Sequence, residues 1–190
     1  MKAGRIFSIG AGMVFVSGGS ALVAAPPEIP PAKKEVTISG YRKWVRVNQR
    51  PHPVVSHLAL LCRSLTAKEK ARVASDPHKD NFVTVYVNKI ARQAMLYQKK
   101  PKFPQGSLIV KEKLSSTGSK SPELLTVMYK REKGYSPSAG DWEYLVLNGA
   151  GTKTQSRGRL ENCQSCHAQW KETDYVSRAY FTDIMMSKFR

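Results

Sequence analysis

The chain has 190 residues and a formal net charge of +17, from 31 Lys and Arg against 14 Asp and Glu. Its length suits one domain with a real core and leaves too little chain for two. The basic excess could suit nucleic acid, but the N-terminus has the pattern of an export signal, and exported chains rarely meet nucleic acid. An acidic redox partner or an anionic membrane surface fits the charge better, as does a charge that is simply scattered for solubility.

The start of the chain has the features of a secretory signal peptide. Basic residues come first, the run 6–25 is apolar or small and carries no charge, and a Pro-rich stretch follows. We therefore predict a signal peptide over 1–25, a Pro-rich linker over 26–39 and a single domain over 40–190, located in the periplasm or otherwise exported. An uncleaved membrane anchor is the alternative, since about 20 residues can just span a bilayer.

In chain order, the hydrophobic patterns mix helices with strands and gather the strands in the middle of the domain. Periodicity and capping signals predict helices over 53–64, 67–75 and 89–98, and a last helix that carries 161–170 and runs on into 171–181. Segments rich in β-branched and aromatic residues predict strands over 81–88, 107–114, 123–132 and 141–149, the last two as a hairpin. Asn88 can cap the third helix, whose Ile90, Ala94 and Tyr97 fall near one face. The expected fold is α+β with a mainly antiparallel sheet.

The segment ENCQSCHAQW contains a C-x-x-C-H motif made of Cys163, Cys166 and His167. On a helix, residues three apart lie on one face, so both thiolates can add to the vinyl groups of a haem while the imidazole binds its iron. Zinc would need a second ligand pair, and the sequence has no other C-x-x-C and no H-x-x-x-H. A thioredoxin-type pair would lie near a βαβ pattern. The motif therefore predicts one covalently bound haem c near the C-terminus; Cys62, in an apolar stretch, is predicted to be a core residue.

Several segments resemble the cytochrome P-460 (P460) family and occur in the same order, over roughly residues 40–181. They are YRKWVRVN, TVYVN, FPQGSLIVKEKL, GDWEYLVLNGAG and CQSCHAQWKETDYV. The resemblance implies an antiparallel-sheet haem protein that forms a homodimer. It also implies either oxidation of hydroxylamine or, as in relatives of the c-prime-beta type, binding of nitric oxide or other small gases without turnover.

The resemblance implies roles for individual residues. Cys163 and Cys166 match the haem thioether positions, and His167 matches the proximal iron ligand. Lys111 matches a lysine that is bonded to the porphyrin edge in hydroxylamine-oxidising members, although a lysine on a strand is usually a solvated charge. Val83 stands where some members have an arginine, which makes the pocket less polar and favours gas binding.

The distal side of the iron offers several candidates. The carboxylates that could move protons there are Glu112, Asp141 and Glu143, and the sequence does not select one. Aromatic side chains that could line an apolar distal wall, or simply pack in the core, are Phe82, Phe103 and Trp142.

Electron carriers usually close both axial positions of a haem iron, whereas reactive haems leave one open. The residues that could close the second position are Met95, Met128, Met185, Met186, His52, His57 and His78. Each is explained more simply as core or surface, so we predict an open, five-coordinate, high-spin iron. Three functions remain: oxidation of hydroxylamine or a similar small nitrogen compound with electrons leaving to a redox partner, sequestration of nitric oxide, and plain electron transfer.

Overall fold

The computed structural model describes residues 36–54, 66–74 and 81–181, all within one compact unit that spans 36–190. Seven strands form its centre: β1 Val45–Arg46, β2 His52–Pro53, β3 Phe82–Val87, β4 Leu108–Leu114, β5 Leu124–Lys130, β6 Trp142–Asn148 and β7 Thr154–Gly158. The α-helices are α1 Ala67–Ala74, α2 Lys89–Tyr97 and α3 Glu161–His167. Short 3₁₀ helices occur at Tyr41–Lys43, Pro137–Ala139 and Ala168–Thr173. The predicted α+β fold with a mainly antiparallel sheet is confirmed.

Some predictions concern residues outside these ranges. The signal peptide over 1–25, most of the helix over 53–64 and the side chains of Cys62, His57, His78, Met185 and Met186 lie there. Among the described residues, no helix is both long and apolar enough to cross a membrane.

The strands pair in the order β1-β3-β4-β5-β6-β7, every pair antiparallel, and β2 also pairs with β3. The register aligns side chains in rows across the sheet. One row contains Val85, Lys111, Thr126, Val146 and Ser156, and the next contains Val87, Ile109, Met128, Tyr144 and Gly158. Because successive residues of a strand point to opposite faces, both rows lie on the same face.

The two faces of the sheet carry separate cores. We call the first the helix face, because α2, Cys163 of α3 and the segment 175–181 pack on it; its buried core includes Val85, Met95, Ile109, Trp142 and Tyr144. We call the second the N-terminal face, because 36–44 covers it; its buried core includes Ile38, Tyr86, Val110, Leu125 and Leu145. The end of the predicted linker thus packs against the sheet through Val36 and Ile38.

The helix α2 begins as predicted at an Asn88 cap, whose side chain accepts a hydrogen bond from the Ala91 amide at 2.9 Å. Its buried side chains are Ala91, Ala94 and Met95. Ile90 and Tyr97 are 47% and 58% exposed, so the face on which the sequence groups them with Ala94 is not the buried face of the helix. The helix therefore packs on the sheet through Ala91, Ala94 and Met95.

The last helix was predicted to run on into 171–181, and this prediction was wrong. It ends at His167, a 3₁₀ segment continues to Thr173, and the chain then reverses through Asp174 and Tyr175, with φ of 54° and 64°. Residues with a side chain adopt this left-handed conformation uncommonly, and two in succession need support from their surroundings. The reversal brings the backbone of Tyr175 back to His167.

Asn48 completes the edge of the sheet between β1 and β2. Its side-chain oxygen accepts from the amide of Val85 at 2.8 Å, and its side-chain nitrogen donates to the carbonyl of Val83 at 2.8 Å. The Val47 amide donates to the Val85 carbonyl at 2.8 Å. The buried side-chain amide of Asn48 therefore takes the place of a peptide group in the β3 ladder.

Candidate haem site

The helix α3 carries the C-x-x-C-H motif at the helix face. The side chain of Cys163 is half-buried against the core of that face, and Cys166 is exposed; neither forms a disulfide. Burial raises the pKa of the Cys163 thiol, the neighbouring Cys166 adds to the rise, and Lys111 opposes it. One turn of helix thus presents two free thiols, one turned toward the core and one toward solvent.

The imidazole of His167 is held in a defined orientation. Its Nδ1 lies 2.7 Å from the carbonyl oxygen of Tyr175. A carbonyl can only accept, so Nδ1 carries the proton and Nε2 keeps its lone pair. The rings of Tyr144 and Trp170 each lie 5.3 Å from the imidazole. Burial lowers the pKa of His167 to about 4, helped by the charge of Lys111. The result is a neutral imidazole with a free Nε2, the form that binds a metal ion.

Lys111 shares this neighbourhood. It lies on β4 two residues from the buried Ile109, so alternation places it on the helix face with the motif. Its charge lowers the pKa of both His167 and the Cys163 thiol. Lys111 therefore lies on the same face of the sheet as the C-x-x-C-H motif, and its charge acts on two residues of that motif.

Two of the three candidate carboxylates, Glu112 and Glu143, lie on the face of the sheet opposite the motif. Glu112 lies on the N-terminal face, where its Oε1 accepts from Tyr41 Oη and Arg42 Nε, both at 2.7 Å. Glu143 lies on the same face and pairs with two arginines. Asp141 accepts from the amide of Ser136 at 2.8 Å and so shapes its own turn.

The other candidates have simpler roles in the structure. Trp142 and Phe103 form a buried edge-to-face pair with centroids 5.4 Å apart, while Phe82 is only half-buried. Met95 and Met128 are buried in the core of the helix face. Trp142, Phe103, Met95 and Met128 therefore pack as core side chains.

Sequence reasoning missed Tyr144. This side chain is 3% exposed, and its hydroxyl has no hydrogen-bond partner among the described residues. The ring touches the imidazole of His167, and burial raises the pKa of the phenol, with the two motif thiols adding to the rise. The only signal in the sequence was its spacing of two residues from Trp142 on β6, which puts both on one face.

These features fit a haem. Among the described residues, no group of three His, Cys, Asp or Glu side chains could hold a metal ion by itself. His167 would offer one nitrogen to the iron, and a porphyrin would supply the other four. The unpartnered Tyr144 hydroxyl is also consistent with a group that is bound here beside the thiols.

Comparison with known proteins agrees with this assignment. A search of curated proteins gave no match. The family model for Cytochrome P460 matches residues 38–178, which include the seven strands and the C-x-x-C-H motif. The chain therefore belongs to the cytochrome P460 family and is a c-type cytochrome.

Proposed function

We propose that this protein is an exported mono-haem cytochrome that oxidises hydroxylamine or a similar small nitrogen compound. In this proposal Cys163 and Cys166 hold the haem through thioether bonds, and His167 binds the iron through Nε2. A haem held by these residues would supply an iron that can bind a small ligand and a one-electron redox centre. The observation that carries the proposal is the 2.7 Å contact between Nδ1 of His167 and the Tyr175 carbonyl, which leaves Nε2 free for iron.

Lys111 supports oxidation over simple binding. It lies on the helix face, and its charge acts on both Cys163 and His167. A lysine in this position can reach the edge of a group attached to α3. In the same row across the sheet its neighbours are Val85, Thr126 and Val146, which carry no charge.

A second candidate function is the binding of nitric oxide without turnover. Oxidation of hydroxylamine releases protons, which a nearby base must take up. Glu112 and Glu143 face away from the motif and are held by arginines. Val83, where some relatives place an arginine, is 2% exposed, so this position is buried and apolar. This arrangement favours a pocket that binds a small uncharged ligand.

The attachment is tested by extraction with acidified acetone. Haem should stay with the unmodified polypeptide and should be lost from the double variant Cys163→Ala and Cys166→Ala. Free extraction from the unmodified protein would contradict the covalent attachment.

The role of Lys111 is tested by Lys111→Ala with Lys113→Ala as a matched control, because Lys113 lies two residues further on the same strand and face. A cross-link should move the ferrous absorption to the red of ordinary haem c, and only Lys111→Ala should remove this shift and the turnover of hydroxylamine with an artificial oxidant. An ordinary spectrum that neither substitution changes would exclude the cross-link and leave nitric oxide binding as the function.

The open iron position is tested on the ferric protein. A high-spin electron paramagnetic resonance spectrum and rapid binding of nitric oxide are expected. A low-spin spectrum that does not change when nitric oxide or hydroxylamine is added would identify an electron carrier instead.

We also propose a homodimer and an exchange of electrons with a separate redox protein, both on the strength of the family, and export on the strength of the N-terminal pattern.

A further inference from the structure

The segment Asp174–Tyr175, whose carbonyl accepts a hydrogen bond from His167, has an unusual backbone conformation. Asp174 and Tyr175 both have left-handed backbone angles, with φ of 54° and 64°. Two successive residues with side chains are rarely found in this conformation, because the Cβ atom crowds the backbone. The turn must therefore be held in place by contacts from other parts of the protein.

The side chain and carbonyl of Asp174 supply those contacts. Its Oδ2 accepts from the amide of Phe103 at 2.9 Å and from Nζ of Lys130 at 2.7 Å. Its backbone carbonyl accepts from Nε1 of Trp142 at 2.7 Å. The carboxylate and the ammonium are largely buried, with side-chain exposures of 7% and 13%, and the ammonium also lies 4.8 Å from the indole ring. The sheet thus holds the turn through one compact charged cluster.

The second residue of the turn is held from the other side. The amide of Tyr175 donates to the carbonyl of Trp170 at 2.7 Å, and its hydroxyl donates to the carbonyl of Ser138 at 2.9 Å. Its ring covers Gly140, where an added Cβ would come within 2.5 Å of it. The amide and the ring of Tyr175 are therefore both fixed, and so is the direction in which its carbonyl oxygen approaches Nδ1 of His167.

We propose that Asp174 and Lys130 are positioning residues for His167. They hold the Asp174–Tyr175 turn so that its carbonyl accepts the Nδ1 proton, which fixes the imidazole and makes Nε2 a stronger donor to iron. The cluster acts through the backbone of Tyr175 and does not itself contact the imidazole. This inference rests on the proposed role of His167 as the iron ligand.

The substitution Asp174→Asn tests it. Asparagine keeps the size and an acceptor for the Phe103 amide but removes the charge that holds Lys130. The Tyr175 carbonyl should then loosen, and the imidazole should become a weaker donor. We expect the iron–histidine stretching band of the ferrous protein to move to lower frequency in resonance Raman spectra. A tenfold loss in the preference of the site for ferric over ferrous iron would raise the reduction potential by about 59 mV.

Glu143→Gln is the matched control. Glu143 is also a buried carboxylate in an ion pair, but it lies on the N-terminal face. Its loss should destabilise the protein and leave the Raman band in place. If Asp174→Asn leaves the band and the potential unchanged, or moves them only as far as Glu143→Gln does, the positioning role is wrong.

A second variant, Lys130→Gln, keeps the carboxylate of Asp174 and removes only its cationic partner. It should shift the band in the same direction, by less than Asp174→Asn, because the charged carboxylate remains and is a stronger acceptor for the Phe103 amide than the side-chain oxygen of asparagine. No shift in a folded, haem-containing Lys130→Gln protein would refute the role of Lys130. A failure of the proposed role of His167 as the iron ligand is recognised separately, because the unmodified protein would then show no iron–histidine band at all.

Discussion

The substitution Glu143→Gln should cost the protein much of its stability and leave its ligand chemistry unchanged. The side chain of Glu143 is 3% exposed. Its Oε1 accepts from Nε of Arg157 at 2.8 Å, and its Oε2 accepts from Nη1 of Arg131 at 3.0 Å and Nη2 of Arg157 at 3.2 Å. All of these bonds lie on the N-terminal face of the sheet, away from His167.

The size of the effect follows from what the two arginines lose. Removing one partner of a buried ion pair typically costs about 3–5 kcal/mol, because the other charge stays buried without compensation. Glutamine keeps the shape and one acceptor, and the side chains of Arg131 and Arg157 are 12% and 27% exposed. Water can therefore reach both guanidinium groups in part. We expect a loss near the lower limit, about 3 kcal/mol, which corresponds to a decrease in melting temperature of roughly 6–12 °C for a domain of this size.

Urea unfolding measures this loss, with Glu132→Gln as the control. Glu132 also pairs with Arg131, at 3.0 Å, but its side chain is 53% exposed, so its loss should cost at most about 1 kcal/mol. Equal losses for both variants would refute the reasoning from burial. A changed affinity for nitric oxide in Glu143→Gln would place the carboxylate at the haem and contradict the strand register.

Three further changes test the packing and the charges. Gly149→Ala should destabilise the protein by about 1–3 kcal/mol in urea unfolding, because its Cβ would overlap the carbonyl oxygen of Pro122; Gly118→Ala, with open space around it, should have little effect. Asn88→Ala should cost about 1 kcal/mol by the same measurement, as the loss of a helix cap does; an unchanged unfolding midpoint would show that this cap is not needed. Burial lowers the pKa of His52, so the unfolded chain binds its proton first and stability should fall as the pH drops below about 6.5. Unfolding free energies measured from pH 8 to pH 5 should show a smaller fall in His52→Gln, and identical profiles would rule out this contribution.

The sequence predicted the parts of the fold that have a strong local pattern. The strands β3 to β6 are rich in β-branched and aromatic residues, and their predicted ranges agree with the structure to within two residues. The strands β1 and β2 have two residues each, too short for any periodicity, and β7 has the polar sequence TQSRG. These three strands form because longer neighbours offer them hydrogen bonds, which no local pattern records.

The candidate site also has one part that the local sequence predicted and another part that it could not. The spacing of Cys163, Cys166 and His167 is local, and it was enough to predict a haem c. Strand alternation could separate Lys111 from Glu112, but only the packing of α3 shows that Lys111 lies on the side of the motif. The partner of Nδ1 is a backbone oxygen beyond a left-handed turn, and that turn depends on residues up to 71 positions away, such as Phe103. No short window of sequence contains this information.

The side chain of Asn48 has a consequence for self-association. A second molecule that approached the edge of β3 between β1 and β2 would need the amide of Val85 and the carbonyl of Val83, and Asn48 already occupies both. Open edges of this kind are where sheets of different molecules join and aggregate. An aspartate at position 48 would still accept from Val85 but could not donate to Val83, and it would bring a charge into a buried position. We therefore expect Asn48→Asp to aggregate during expression and refolding, and the proposed homodimer to form through surfaces other than this edge.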